Sequence, residues 1–354
     1  MLIQTKKMKL KPYIFGVIIV VFVLLSAFFV LFFFKKTEQK NNVTYKELKE
    51  AKQELNISIL RYEKDLFSLD MNNLSKEIEK LSKIYPPYLI EQGVWNDSYQ
   101  LERLGAYLQD TVIITLQKTA ENVVKTDDLL QKLQTAFGYY KVFYPNEIIP
   151  KIITLIPGLD IEIPSVYIFD DILYVNVDMY LGADNPYYRS ILPLYIAACC
   201  DPVFLPIDIF KKAMVYKHLG KAPHTTLLDN MITEGKKLYF TEMMFPDVDE
   251  RLIIGYSEEK YKWANDYLGN MWNYMIEKNE LFGKEYLLIR TYIEEAPFTK
   301  PFGNESPGRT GAFIGWKLIQ SYMKNNSDIS LQELMQDFDY QKILNSSKFK
   351  PQPK

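Results

Sequence analysis

One predicted helix constrains the fold of this chain more than any other stretch, because it carries an acid on its apolar side. It covers residues 225–245, where Thr226 and Asp229 match a capping box at its start. Apolar residues recur at helical spacing and form one stripe: Leu227, Leu228, Met231, Leu238, Tyr239 and Met243. Glu234 lies within this stripe, and Gly235 beside it allows another backbone to come close. A carboxylate there needs a partner, a proton or a metal ion, unless its side chain bends to water from the edge of the stripe.

Composition indicates a folded protein that does not bind nucleic acid. The chain has 354 residues, of which 48% are hydrophobic and 24% charged, enough for one large domain or two small ones. The first 36 residues hold six lysines and no acid, which leaves 36 of the 42 basic residues against all 44 acidic ones in the rest. An acidic body of this kind is not expected to bind nucleic acid. Cys199 and Cys200 are adjacent and are predicted to be small buried side chains.

The N-terminal region predicts a single membrane anchor. Residues 13–34 contain no charge and would extend about 33 Å as a helix, which is enough to cross a bilayer. Lysines flank this span on both sides, at Lys6, Lys7, Lys9, Lys11, Lys35, Lys36 and Lys40. Their slight excess before the span places residues 1–12 in the cytoplasm and the body outside. Residues 35–56 are then a polar stalk, and residues 57–354 are predicted to form a single domain.

The body predicts an α+β fold that is predominantly helical. Helices are predicted over residues 74–81, 99–124, 126–144, 207–219, 225–245, 257–280 and 309–325. Thr126 is predicted to cap the third of them, and Ser330 with Glu333 predicts a capping box for a last one. Strands of a small sheet are predicted over residues 151–156, 166–169 and 172–181. The last strand alternates between apolar and polar residues, so one of its faces is predicted to be exposed.

The order of these elements is the order found in zinc peptidases of the zincin type, but the zinc motif is absent. Such sites need two histidines one helical turn apart, as in HExxH. This chain has two histidines in all, and the intervening Gly220 and Pro223 keep His218 and His224 from sharing a helical face. No catalytic, cofactor-binding or metal-binding residue is therefore assigned. The runner-up is a hydrolase with an unconventional metal site formed by His218, His224 and Glu234.

A glycine-rich stretch, SPGRTG at residues 306–311, includes the start of the predicted helix at 309–325. Its glycines, with Gly315 one turn later, indicate close backbone approach. Arg309 at the start of this helix opposes the helix dipole, so an acid or another anion is expected to compensate its charge. We predict that Glu234 is that acid and that the two side chains form a buried charge pair.

Several stretches of the body are together similar to one known family. They are YEKDLFSLD (62–70), FGYYKVFYPN (137–146), ILYVNVDMYLG (172–182), LLDNMITEGKKLYF (227–240), EEAPFTK (294–300), SPGRTGAFIGWKLIQSYM (306–323) and SSKFKP (346–351). Over residues 62–351 the chain resembles the gliding-motility lipoprotein B family of Bacteroidetes. That family looks like a relative of zinc peptidases that has lost HExxH, and residues 207–218 lack the motif here. Within this resemblance, Glu234 and Gly235 match the second acidic helix of such peptidases.

The resemblance implies a cell-envelope protein of the gliding machinery or the associated type IX secretion system, without an assigned reaction. The family is usually anchored by a lipid on an N-terminal cysteine, whereas this chain has the span at residues 13–34. The leading expectation is a non-catalytic protein of the cell membrane, without a cofactor, whose zincin-like body binds envelope proteins in the periplasm. The main alternative is the metal-dependent hydrolase around Glu234. A third reading is a carbohydrate or peptidoglycan binder with Trp263, Trp272 or Trp316 in a cleft, although helical spacing favours core positions for them.

Overall fold

The computed structural model describes residues 55–221 and 223–354, which form helices on both faces of a small sheet. The predicted α+β fold with mainly helical content is confirmed. The predicted membrane span at residues 13–34, the tail before it and almost all of the stalk lie outside the described residues. In the part of the chain that is described, no helix has the length and apolar character needed to cross a membrane. The zincin-like assignment stays a prediction.

Four strands form one sheet in the order β1-β2-β4-β3. The strands are β1 (Ile59–Arg61), β2 (Lys151–Leu155), β3 (Val166–Phe169) and β4 (Ile172–Asn176). β1, β2 and β4 run parallel, with Leu155 opposite Asn176, whereas β3 runs antiparallel to β4. The three parallel strands therefore present their carboxyl ends at the same edge of the sheet.

β4 is shorter and more buried than the alternation predicted. It ends at Asn176, and the 3₁₀ turn Val177–Met179 follows it. Leu173 and Val175 are buried on one face, but Tyr174 and Asn176 are equally buried on the other. The prediction of a half-exposed strand was wrong, because a second layer of helices covers the face that was expected to meet water.

That second layer is supplied by the first three of five described N-terminal helices. The five are α1 (Tyr62–Phe67), α2 (Leu74–Leu81), α3 (Ser98–Gln109), α4 (Thr111–Val123) and α5 (Thr126–Phe143). Leu66, Ile78 and Leu108 of the first three pack with Ile153 and Tyr174 of the sheet in a small apolar cluster. α4 and α5 pack in the larger cluster on the opposite face. The sheet is therefore enclosed between two helical layers.

Two local predictions in this region were wrong. A single helix over residues 99–124 was expected, but Asp110 divides it because its carboxylate accepts hydrogen bonds from the backbone N–H groups of Val112 (2.7 Å) and Ile113 (3.2 Å). Thr126 does not cap α5. Its hydroxyl accepts a hydrogen bond of 2.7 Å from Arg61 Nη1 instead, so a tertiary contact replaces the local cap.

The chain after the sheet is helical again, with short and irregular pieces first. α6 (Tyr188–Ile191) and α7 (Leu194–Ala197) precede α8 (Leu205–Asp208), which continues through the π-helical turn Ile209–Ala213 and the 3₁₀ turn Met214–Lys217. The long helices follow, and the predicted helix at 257–280 is divided at Tyr267. They are α9 (Leu227–Met244), α10 (Glu250–Ile254), α11 (Glu258–Asp266), α12 (Leu268–Glu277), α13 (Tyr286–Ile293), α14 (Thr310–Asn325), α15 (Leu331–Gln336) and α16 (Tyr340–Ser347). The predicted capping boxes at the starts of α9 and α15 are confirmed.

Helices α9 and α14 pack backbone to backbone at two glycines. A Cβ atom at Gly235 would overlap the carbonyl group of Gly315, and one at Gly315 would overlap the carbonyl group of Met231. The close approach predicted at Gly235 is therefore confirmed. Trp316 and Trp272 are buried, so these two tryptophans are core residues rather than lining for a sugar cleft.

Candidate functional site

Glu234 lies in the middle of α9, facing the start of α14, and a cation contacts each of its carboxylate oxygens. Lys237 Nζ donates a hydrogen bond to Oε1 over 2.6 Å, and Arg309 Nη2 donates to Oε2 over 3.2 Å. Arg309 Nη1 also donates to Glu295 Oε1 over 3.0 Å. The side chains of Glu234 and Arg309 are only 18% and 13% exposed. The structure therefore brings the predicted pair together and adds Lys237 and Glu295 to it.

Arg309 directly precedes α14 and has a left-handed backbone conformation, with φ at 54° and ψ at 31°. Non-glycine residues seldom adopt this conformation, and they keep it only where the surroundings fix it. Two carboxylates, of Glu234 and Glu295, bind the guanidinium group of Arg309 in this conformation. They also offset the unfavourable placing of a cation at the positive end of the α14 dipole.

The electrostatics of the pair favour full ionisation. Burial raises the pKa of Glu234, but the charges of Lys237 and Arg309 outweigh this effect and hold the pKa below its usual range. Burial lowers the pKa of Arg309, but Glu295 and Glu234 outweigh it and raise that pKa above its usual value. A general base that works at neutral pH needs a pKa near 7 and an oxygen free to take a proton. Glu234 is instead suited to a permanent ion pair.

A second buried carboxylate, Asp208 at the end of α8, has the same arrangement. Lys211 Nζ lies 3.1 Å from Oδ1, Lys212 Nζ lies 2.8 Å from Oδ2, and the Tyr180 hydroxyl donates to Oδ2 over 3.0 Å. Burial raises the pKa of Asp208, but the two lysines outweigh it and hold the pKa below its usual range. The sequence analysis did not predict this cluster. Lys211 and Lys212 lie three and four residues after Asp208, and this spacing was a signal from which the ion pairs were predictable.

Both networks line one cavity of about 220 Å³. Its charged lining consists of four cations and three carboxylates: Lys211, Lys212, Lys237, Arg309, Asp208, Glu234 and Glu295. Cys199 and Tyr216 also line it, and burial raises the pKa of the Cys199 thiol, which keeps it protonated and weakly nucleophilic. The cavity is therefore polar, but each of its carboxylates is bound to at least one cation.

The two histidines are not part of this site. His218 is buried among aromatic rings: it stacks on Tyr144 at 3.7 Å between ring centroids, and its Nε2 lies 2.9 Å from the Tyr140 hydroxyl. Burial lowers its pKa to about 4. The ring of His224 contacts the Tyr340 hydroxyl through Nδ1 over 2.9 Å, and burial lowers its pKa as well. Both rings are therefore neutral at neutral pH.

The runner-up metal site is not assembled. Within residues 55–221 and 223–354, no group of three or more His, Cys, Asp or Glu side chains could hold a metal ion. The predicted set of His218, His224 and Glu234 fails because each histidine is bound in an aromatic environment of its own, while both oxygens of Glu234 are held by cations.

Comparison with known proteins finds one family model that matches this chain. No curated protein and no solved structure matches it. A family model described as gliding motility protein GldB matches residues 41–351, a range that includes every strand and helix described above together with Glu234 and Arg309. The resemblance drawn from the sequence stretches is thereby confirmed, and this chain belongs to the gliding motility protein GldB family.

Proposed function

We propose that this protein is a non-catalytic binding or assembly component of the gliding machinery. On this proposal residues 13–34 hold it in the cell membrane, and its body binds other envelope proteins in the periplasm. Membership of the family supports a gliding motility-related protein. The observation that supports a non-catalytic role is the state of Glu234, whose two oxygens are both bound by cations.

The Glu234 pair acts in this proposal as a cross-link within the body. It joins the middle of α9 to the residue before α14, next to the glycines where the two helices touch. A hydrolase would need the acid to accept a proton from water, which a carboxylate bound to Lys237 and Arg309 does poorly. The zincin-like arrangement is then a scaffold whose inward acid stabilises helix packing.

The test separates loss of chemistry from loss of fold. In a gliding bacterium that lacks its own family member, we expect Glu234→Gln to support gliding in proportion to the amount of folded protein in the membrane. Glu294→Gln is the matched control, because Glu294 forms an exposed ion pair with Arg290 at 2.8 Å. A Glu234→Gln protein that is present and folded at the normal level, yet as inactive as the deletion, would overturn the proposal.

Metal content provides an independent test of the hydrolase alternative. The full-length protein, purified in detergent, is expected to contain no stoichiometric zinc. Zinc at one equivalent that is lost on Glu234→Gln would favour the enzyme instead. Crosslinking of the anchored protein in its own membrane then tests for envelope partners, and fractionation with and without residues 13–34 tests the anchor.

A further inference from the structure

A second cavity, of about 430 Å³, lies at the carboxyl edge of the parallel strands. Tyr62 and Glu63 line it directly after β1, Ile156 and Pro157 after β2, and Asn176 at the end of β4. Parallel sheets of α/β folds commonly bind ligands outside the carboxyl ends of their strands. The volume also falls in the range of about 300 to 1,000 Å³ that small-molecule sites occupy.

Among the described lining residues, seven are aliphatic and four are tyrosines, at Tyr62, Tyr88, Tyr107 and Tyr167. Tyr88 is 54% exposed, and its ring lies 4.8 Å from Phe169 between centroids. Tyr167 stacks on the buried ring of Tyr174 at 5.2 Å, which fixes its orientation. A neighbouring cavity of about 420 Å³ shares Tyr62 and Tyr88 with this one, so the tyrosines border a longer groove. Ring faces held in this way are suited to stacking against a flat, weakly polar ligand.

A hydrogen-bond acceptor in the cavity lacks a partner. Asn176 is fully buried and lines the cavity; its Nδ2 donates to Pro164 O over 3.0 Å. Its Oδ1 has no hydrogen-bond partner among the described residues. Native proteins pair nearly all of their buried polar atoms, and an unpaired one calls for an explanation such as a ligand. Oδ1 has almost no accessible surface, so a ligand N–H or O–H group satisfies it once the Asn176 side chain turns toward the cavity.

The charge in the lining is already neutralised. Glu63 is the charged side chain among the described lining residues, and it is only 2% exposed. Arg61 Nε binds its Oε1, and the Thr154 hydroxyl donates to Oε2 over 2.6 Å. An anion would therefore meet oxygen acceptors, and a cation would meet a carboxylate whose charge is balanced by Arg61. A wholly apolar ligand would leave Asn176 Oδ1 unpaired.

We propose that this cavity binds a neutral sugar ring of a glycan. A pyranose has an apolar face that stacks on tyrosine rings, and its hydroxyl groups supply the donor that Asn176 Oδ1 lacks. The cavity is lined by none of the residues of the Glu234 network, so this inference stands or fails independently of the proposed function.

The test uses the full-length protein in a detergent without a sugar headgroup, because maltoside detergents would compete. Cellobiose, maltose and N,N′-diacetylchitobiose are titrated, and binding is followed by saturation-transfer difference NMR and calorimetry. We expect at least one disaccharide to bind with a millimolar or lower dissociation constant. Tyr88→Ala should weaken it at least ten-fold, whereas Tyr88→Phe, which keeps the ring, should change it less than three-fold.

Controls make each result decisive. Tyr286→Ala removes a tyrosine that is 67% exposed and does not line the cavity, so it should leave affinity unchanged. Tyr88 is itself largely exposed, so the variant protein should remain folded, which circular dichroism checks. Absence of binding by all three sugars overturns the proposal. So does binding of N-acetyltryptophanamide without any sugar, which would assign the cavity to an aromatic peptide side chain, or sugar binding that Tyr88→Ala leaves intact.

Discussion

Two sites of this protein differ in how the buried polar groups beside them are partnered. Around Glu234 and Asp208, in the C-terminal layer, the carboxylates are bound to lysine or arginine and the pKa values are held low. At the carboxyl edge of the sheet, under the N-terminal layer, Asn176 Oδ1 is buried without a partner beside a cavity lined by tyrosines. In the first region the carboxylates and their cations stabilise the packing of helices. In the second region Asn176 Oδ1 has no partner among the described residues, and the glycan proposed above would bind there.

Arg309→Met is expected to cause the largest loss of stability. It removes the guanidinium group from Glu234 and Glu295 and leaves one buried carboxylate with Lys237 alone. Breaking a buried pair in this way should lower the free energy of unfolding by about 3 kcal/mol. The control is Arg290→Met, which breaks an exposed pair and should cost about 0.5 kcal/mol. Equal melting midpoints for the two variants would show that the Glu234 network does not support the fold.

Gly315→Ala tests whether the helix contact beside this network is as tight as the geometry indicates. The added methyl group would overlap the backbone of Met231, so we expect a loss of about 2 to 3 kcal/mol. Gly105→Ala is the matched control in α3, because a Cβ there meets only Met71 Cε at 3.7 Å. That change should be neutral or stabilise the protein by up to about 1 kcal/mol. Chemical denaturation of both variants gives the comparison.

Acid should act through His218, because burial outweighs the nearby charge of Glu147 and lowers the pKa of this ring. The pKa of His218 is about 4 in the folded protein against 6.5 ordinarily. Between these values the unfolded chain binds more protons, so the free energy of unfolding falls as pH decreases from about 6.5 to about 4. We expect a contribution of about 2 kcal/mol, allowing for solvent screening. His218→Gln should remove this part of the pH slope in denaturation curves, and an unchanged slope would contradict the assignment.

Tyr88→Ala should have the smallest effect on stability. The ring is largely exposed and contacts Phe169 and Tyr174, so the loss should be about 1 kcal/mol or less. This result would separate the two regions further. A residue of the proposed ligand site would be nearly dispensable for folding, whereas Arg309 of the Glu234 network would not. A loss comparable to that of Arg309→Met would instead make Tyr88 a structural residue.

Sequence patterns predicted the charged region better than the tyrosine-lined one, for physical reasons. The helical period places Glu234 inside an apolar stripe. Arg309 lies at the positive end of a helix dipole, which predicts an acid near it. Lys237 was within reach of the same reasoning, because it lies one helical turn after Glu234. Asp208 has its two lysines at the same kind of spacing. Local periodicity thus carries most of the information about this site.

The tyrosine-lined cavity depends on long-range topology that local patterns do not encode. Tyr62 and Asn176 are far apart in the chain and meet only because β1, β2 and β4 are parallel neighbours. The alternation in β4 predicted that Asn176 faces water, whereas its side chain is fully buried and donates to Pro164 O. Trp263, Trp272 and Trp316 drew attention by residue type alone. Trp272 and Trp316 are buried and Trp263 is partly buried against the core, as their helical spacing favoured.

The glycine contact between α9 and α14 also sets what can change in this protein. Glu234 is the residue before one glycine, and Arg309 lies six residues before the other, so both charges are positioned from a single crossing point. Sliding either helix by one residue would bring a side chain into the space that only hydrogen atoms fit. A different pair of matched charges would leave this crossing unchanged, whereas a larger residue at either glycine would push the two backbones apart.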